Sequence, residues 1–88
     1  MKVKYLKKFS KDLDRFKKPK EKEQILQVIE SVKSSSGLEE ISGLKKLSGF
    51  KHAYRIRSGT LRIGVFVEDE IVEFARIAHR KDIYKIFP

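Results

Sequence analysis

Lys51 to Arg80 reads KHAYRIRSGTLRIGVFVEDEIVEFARIAHR, and this stretch decides the fold. Apolar residues alternate with other residues along much of it, which predicts three consecutive antiparallel strands joined by two tight turns. With Ser58-Gly59 as the first turn, Arg55 should lie opposite Arg62. Two arginines in a cross-strand pair repel each other, so the pairing indicates a site that receives an anion.

The second turn is expected at Glu68-Asp69, which would place Val65 opposite Val72 on an apolar face. That face should lie under the helices of the domain. The opposite face of the predicted sheet should then carry Arg55, Arg57, Arg62, Gly64, Phe66, Ile71, Glu73, Ala75 and Ile77.

Composition bounds the possible classes of function. Eighty-eight residues suffice for one small domain, and the chain has no cysteine and only two histidines. Disulfides are therefore excluded, and neither a metal site nor another cofactor is expected. No signal peptide or membrane span is apparent, which predicts a cytoplasmic protein. A net charge of +9 points to nucleic acid, an anionic surface or an acidic protein as partner.

Two helices are expected before the predicted sheet, after a short strand over Met1 to Leu6. Apolar residues at spacings of three and four predict a first helix from Lys7 to Lys17, with its stripe at Leu6, Phe9, Leu13 and Phe16. Lys8, Lys11, Asp12, Asp14 and Arg15 are assigned to the opposite side. The second helix should run from about Lys20 to Lys33, with its stripe at Ile25, Val28, Ile29 and Val32. Pro19 separates the two helices, and Gly37 is a candidate left-handed cap.

The remaining segments are less regular. Leu38 to Phe50 connects the helices to the sheet, and its Leu44-Lys45-Lys46-Leu47 core is either a helical turn or extended. Lys81 to Phe87 suits a terminal helical turn.

Two segments resemble the RelE/ParE toxin superfamily: LSGFKHAYRIRSGTLRIGV (Leu47 to Val65) and ARIAHRKDIYKIF (Ala75 to Phe87). The order of elements agrees with that family along the whole chain. The expected architecture is a single α+β domain over 1–88, with a short N-terminal strand, a two-helix antiparallel hairpin, a three-stranded antiparallel sheet and a short C-terminal helical turn.

In the RelE branch, the resemblance implies a toxin of a type II toxin–antitoxin system. Such a toxin cleaves mRNA in the ribosomal A site through attack by the RNA 2′-hydroxyl, which leaves a 2′,3′-cyclic phosphate. The implied catalytic residues are Arg55, Arg62, His79, Arg80 and Tyr84. Further contacts to RNA are expected from Arg57, Lys45, Lys46 and Lys51. The implied partners are the ribosome, mRNA and an antitoxin whose acidic, partly helical segment covers the arginines in a hetero-oligomer.

The chain also departs from the family pattern. Strand positions that often hold lysine hold arginine here, and Ala78 replaces a glycine before His79 and Arg80. Arginine stays protonated, so it cannot serve as a general base. Proton transfer is left to four candidates: His79, Glu73, Tyr84 and Lys51. Glu73 is alternatively a charge partner of Arg62.

Two other functions remain open. One is inhibition of DNA gyrase, as in the ParE branch, which needs no nuclease residues. The other is a basic module that binds an antitoxin without catalysis.

Overall fold

The computed structural model describes all residues from Met1 to Pro88 and contains three helices and a five-stranded sheet. The helices are α1 (Lys7–Arg15), α2 (Pro19–Ser34) and α3 (Ile83–Ile86). A 3₁₀ turn covers Leu38–Glu40. The strands are β1 (Lys2–Tyr5), β2 (Leu44–Lys46), β3 (Ala53–Ser58), β4 (Leu61–Glu68) and β5 (Ile71–His79).

The predicted α+β fold is confirmed, with one strand more than the sequence indicated. The order in the sheet is β1-β5-β4-β3-β2, in which β1 runs parallel to β5 and all other neighbours are antiparallel. The additional strand is β2, so Leu44 to Lys46 takes the extended alternative and pairs with β3 at the sheet edge. None of the three helices has the length and the apolar run that a membrane crossing requires.

The predicted first turn was wrong by one residue. The two loop residues are Gly59 and Thr60, and Arg57 rather than Arg55 lies opposite Arg62. Gly59 has a φ of +58°, which matches the first loop position of a type II′ hairpin turn, where glycine is favoured. Arg55 instead lies opposite Gly64. The arginine pair therefore exists, but it forms nearer the turn.

The second turn also lies one residue later than predicted. Its loop residues are Asp69 and Glu70, with φ values of 51° and 63°, as a type I′ turn requires. Val67 is consequently the residue opposite Val72. Val65 lies opposite Phe74 instead.

A β-bulge interrupts the pairing of β4 with β5. Val65 pairs with Phe74 and Gly64 pairs with Arg76, so Ala75 has no partner on β4. The extra residue reverses the alternation of β5 beyond it. Ile77 therefore joins the core on the helical side. The prediction that it lies on the same face of the sheet as the arginines is wrong.

The main core lies between the sheet and the helices α1 and α2. From the helices it receives five buried side chains, which are Phe9, Phe16, Ile25, Ile29 and Val32. Leu13 and Val28 are partly buried against this core, whereas Leu6 is 36% exposed. The two predicted stripes are thus confirmed except at Leu6. The predicted glycine cap is wrong, because Gly37 is extended with a φ of −162°. Near the end of α2, Ser35 Oγ instead donates to the Ser31 carbonyl at 2.7 Å.

A second, smaller core lies on the other side of the sheet, where α3 packs. It consists of Ala53, Ala75, Ile83 and Phe87. The ring of Phe87 lies directly over Gly64, where an added Cβ would be 2.6 Å from two ring carbons. Close approach of α3 therefore depends on the absence of a side chain at position 64. The arginines occupy the part of the same face that lies nearer the Gly59-Thr60 turn.

Candidate functional site

Four arginines, Arg55, Arg57, Arg62 and Arg80, form what we call the arginine cluster. The first three project from β3 and β4 on the side that α1 and α2 leave uncovered, because the opposite positions hold core residues. Arg80 follows β5, and its backbone N–H donates to the Thr60 carbonyl at 2.9 Å. This bond holds the end of β5 against the Gly59-Thr60 turn and brings the fourth arginine to the other three.

Two members of the cluster are fixed by backbone carbonyls. Arg62 Nη1 donates to the carbonyls of Gly59 at 2.8 Å and Leu61 at 2.9 Å. Arg55 Nη1 donates to the Gly43 carbonyl at 2.7 Å, while Arg55 Nε is buried without an acceptor. Carbonyls orient a guanidinium without neutralising it. The charges of both side chains therefore remain available to a ligand.

The positive charges of the cluster act on one another. The pKa of Arg62 is lowered by burial first, then by the positive charges of Arg55 and Arg57, and to a lesser degree by Arg80. None of the five ion pairs in the molecule involves a member of the cluster. Positive charge is thus concentrated without a protein counter-ion, which is the property of an anion site.

Tyr84 stands beside the cluster on α3. Burial and the neighbouring arginines lower the pKa of Arg62, whereas Tyr84 acts in the opposite direction and raises it. The residue is 59% exposed, whereas Ile83 and Phe87 on either side of it anchor α3 in the second core. The sequence placed Tyr84 correctly on a helical turn, and the structure adds an accessible phenol next to the arginines.

His79 lies on the other side of the sheet from Arg62. It pairs with Leu61, a core residue, whereas Arg62 pairs with Ala78. The imidazole packs beside the ring of Phe16 at a centroid distance of 5.7 Å, and its Nε2 lies 3.3 Å from Glu21 Oε2. These contacts with α1 and α2 contradict the expectation that His79 works among the arginines. The physical reason is the bulge, which sets the side of the sheet on which His79 emerges.

Glu73 does not accompany Arg62 either. It lies opposite Phe66 on β4, four residues along the strand from Arg62, and opposite Lys4 on β1. The expectation of a charge partnership with Arg62 is therefore wrong. Its distance along the sheet also removes it from proton transfer at the cluster.

The three predicted lysines are exposed but differ in position. Lys45 lies opposite Arg55 and extends the arginine face onto β2. Lys46 lies opposite Tyr54, hence on the helical side of the sheet. Lys51 is in the loop before β3, away from the cluster, so it is remote from any chemistry there.

Behind the site is a buried ion pair that the sequence assignment missed. Asp12, only 4% exposed, accepts from Arg76 Nε at 2.7 Å and Nη2 at 3.1 Å, and from the Ile77 N–H at 2.9 Å. The hydrogen bond that Arg76 donates to Asp12 raises the pKa of Arg76. Asp12 lies three residues after Phe9 and four before Phe16, so a carboxylate on the apolar stripe was the signal available in the sequence. The pair joins α1 to the bulged strand.

Comparisons with known proteins identify the family of the chain. No family model matches the chain. Toxin RelE3 of Methanocaldococcus jannaschii is 39% identical to it over 89 residues, which cover 100% of both proteins. The crystal structure of a RelB-RelE antitoxin-toxin complex from Methanococcus jannaschii contains a chain that matches with a TM-score of 0.80 and 36% identity, over 98% of this chain and 100% of that one.

A more distant structure shows the fold alone. A chain of the archaeal RelE-RelB complex from Pyrococcus horikoshii matches with a TM-score of 0.73 at 21% identity, over 93% of this chain and 97% of that one. The full-length similarity at 39% identity is what decides the family. On that ground, the chain belongs to the RelE family of toxins.

Proposed function

We propose that this RelE-family toxin cleaves mRNA on the ribosome and that an antitoxin neutralises it. One observation carries the proposal: four arginines without counter-ions and an exposed tyrosine converge at one end of the uncovered sheet face. A phosphodiester is the anion that this arrangement fits, because guanidinium groups donate to two phosphate oxygens at once.

The reaction we propose is internal transesterification. The RNA 2′-oxygen forms a bond to phosphorus while the bond from phosphorus to the 5′-oxygen of the next nucleotide breaks. A proton leaves the 2′-hydroxyl and a proton reaches the departing 5′-oxygen, so the products are a 2′,3′-cyclic phosphate and a free 5′-hydroxyl. The phosphoryl group gains negative charge in the transition state, and fixed cations stabilise that charge more than they stabilise the ground state.

The arginines have different roles in this proposal. Arg62 and Arg80 contact the reacting phosphate, since Arg62 is held in place by two carbonyls and Arg80 is exposed beside it. Arg57 is exposed and contacts the adjacent backbone. Arg55 is fixed to the Gly43 carbonyl and contributes its charge from the side.

Proton transfer is assigned to Tyr84 and to groups outside this chain. Tyr84 stands beside the cluster and is 59% exposed, and a phenol can donate to the departing 5′-oxygen or stack on a base. The ribosome would supply the remaining geometry. Catalysis then depends chiefly on positioning and on electrostatic stabilisation.

An antitoxin partner is supported by the solved relatives, several of which are complexes of a toxin with RelB. An acidic segment laid over the arginine cluster would place carboxylates where phosphates otherwise bind. It would also remove the mutual repulsion of the arginines.

The test is mRNA cleavage in a purified translation system, with and without ribosomes, together with mapping of the cut sites and their end groups. We expect cuts that need ribosomes and carry cyclic phosphates, and a loss of roughly 100- to 1,000-fold in rate for Arg62→Ala and Arg80→Ala. Lys33→Ala, an exposed cation in the last turn of α2, is the matched control. If the chain did not cleave mRNA but inhibited supercoiling by gyrase, inhibition of gyrase would replace mRNA cleavage as the proposed function. If it showed neither activity, it would be a module that binds an antitoxin without catalysis.

A further inference from the structure

The loop from Ser48 to His52, between β2 and β3, presents an aromatic ring to solvent. Phe50 is 50% exposed and belongs to neither core. The loop is held at both ends, because the Leu47 N–H donates to the Ala53 carbonyl and the Val67 N–H donates to the His52 carbonyl, each at 2.9 Å. The Phe50 N–H also donates to the Leu47 carbonyl at 3.3 Å. The backbone that carries the ring is thus anchored.

Positive charge surrounds this ring. Between Ile41 and Val67 the chain has six lysines and arginines and no aspartate or glutamate. Lys46 and Lys51 line the same open hollow as Phe50, about 500 Å³ in volume. The one ion pair that reaches the loop joins His52 Nε2 to Glu68 Oε2 at 3.9 Å and leaves both lysines free.

The loop is connected to the arginine cluster along β3. That strand has six residues, which at about 3.3 Å per residue places the loop roughly 20 Å from the Gly59-Thr60 turn. Arg55 is the member of the cluster that lies midway along β3, and Lys45 lies opposite it on β2. A row of cations thus leads from the cluster toward the loop, which suits a polyanion several nucleotides long.

The chemistry of the hollow favours RNA over a protein partner. A protein interface that uses an exposed ring surrounds it with further apolar side chains. Phe50 is lined instead by Lys46, Lys51, Ser48 and Gly49, with Leu47 the one other apolar residue. An accessible aromatic ring among cations is the combination that binds single-stranded nucleic acid, through base stacking and phosphate contacts.

We propose that Phe50 stacks on a base of the RNA substrate while Lys51 contacts a flanking phosphate, at a subsite several nucleotides from the reacting phosphate. The subsite rests on the proposed function, since it assumes that RNA lies on the arginine face. It gives the toxin a hold on RNA that tolerates any sequence, because every base has a face on which to stack.

The test is binding of a fluorescent 2′-O-methyl oligouridine to the purified full chain, measured by anisotropy at several salt concentrations. This probe lacks the nucleophilic hydroxyl, so its binding does not depend on cleavage. Stacking is worth about 1–3 kcal/mol per base, so Phe50→Ala should weaken binding by roughly 5- to 150-fold. Phe50→Leu should weaken it similarly, whereas Phe50→Trp should bind at least as tightly as the unmodified chain.

Salt dependence separates the ring from the lysines. Phe50→Ala should leave the slope of log K against log salt unchanged, whereas Lys51→Ala should reduce its magnitude by about 0.7. Leu26→Ala is the matched control, because Leu26 is a large apolar side chain on α2 that is 57% exposed. The subsite would be overturned if Phe50→Ala bound the probe as tightly as the unmodified chain, or if the unmodified chain did not bind it. The first of these results would indicate that the exposed ring serves a protein partner. Phe50-dependent binding without ribosomal cleavage would retain the subsite and reject the proposed reaction.

Discussion

Arg57 lies directly opposite Arg62 in the pairing of β3 with β4, and neither arginine has a carboxylate partner. The charge of Arg62 costs folding free energy, because burial first, and then the charges of Arg55 and Arg57, lower its pKa. A depressed pKa on a cationic group means that folding disfavours its charged form. The cost is present at every pH below the folded-state pKa, and therefore throughout the neutral range.

Removal of one charge from this pair should stabilise the protein. Like charges in cross-strand positions cost about 0.2–1 kcal/mol, so Arg57→Gln should raise Tm by roughly 1–6 °C at low salt. The gain should shrink at high salt, because screening weakens the repulsion that the substitution removes. Calorimetry at two ionic strengths measures both effects, with Lys11→Gln on α1 as the control. A lower Tm for Arg57→Gln would show that the arginine makes a stabilising contact instead.

The pair of Asp12 and Arg76 should be the most sensitive polar contact to truncation. Asp12→Ala leaves the Ile77 N–H without an acceptor and leaves the largely buried Arg76 guanidinium with the Ile86 carbonyl, 3.5 Å from Nη1, but no counter-ion. We therefore expect a loss of about 3–5 kcal/mol in the free energy of unfolding. Because Asp12 raises the pKa of Arg76, this stabilisation is present in full below the ordinary arginine pKa, which includes neutral pH.

Urea unfolding of Asp12→Ala and of Asp14→Ala, an exposed neighbour on α1, provides the comparison. The double variant Asp12→Ala/Arg76→Met should be more stable than Asp12→Ala alone, since it removes the unpaired charge. A loss within the range of about 0–1 kcal/mol that is typical of surface pairs would contradict the structural role.

Gly64 and Phe87 should show strong coupling. Gly64→Ala would bring a methyl group to 2.6 Å from the Phe87 ring, so α3 must shift, and we expect a loss of roughly 1–3 kcal/mol. The shift would displace Tyr84, and cleavage should fall as well. Phe87→Leu in the same chain should restore part of both losses, because the smaller side chain leaves space for the methyl group. Strictly additive effects of the two substitutions would argue against the close approach.

His79 should matter little for the rate. A general base contributes roughly 100- to 10,000-fold, and we expect His79→Ala to lower the cleavage rate less than about tenfold, because the imidazole contacts Phe16 and Glu21 on the far side of the sheet. Tyr84→Ala should be much more damaging. The pH–rate profile of His79→Ala is the decisive measurement. Loss of its acidic limb, together with a large fall in rate, would return the histidine to the reaction.

The order of elements could be predicted because each type has its own hydrophobic period. The stripes of α1 and α2 repeat every three or four residues, whereas the strands alternate, and these periods do not depend on distant contacts. Register was harder to predict. Moving a two-residue turn along by one position leaves Tyr54 and Ile56 on the same face, so alternation cannot distinguish Ser58-Gly59 from Gly59-Thr60.

The sequence allowed the arginines of the site to be predicted, but not the residues that lie around them in the structure. Arg57, Arg62 and Arg80 carry a charge pattern that is visible in the sequence, and the structure brings them together. The misplacement of His79 and Glu73 follows from the bulge and the shifted register, which depend on packing between segments distant in the chain. The bond from Arg76 to Asp12 spans 64 residues, and nothing local in the sequence specifies its partner.

Ala75 has a wider effect than its small side chain suggests. Because Ala75 is the unpaired residue of the bulge, it reverses, for the rest of β5, which side chains point toward the helices α1 and α2 and which point away from them. Deletion of this one residue would undo the exchange, turning His79 toward the side of the arginine cluster and Ile77 out of the core. The length of one strand, rather than the identity of any side chain, thus decides on which side of the sheet the imidazole of His79 lies.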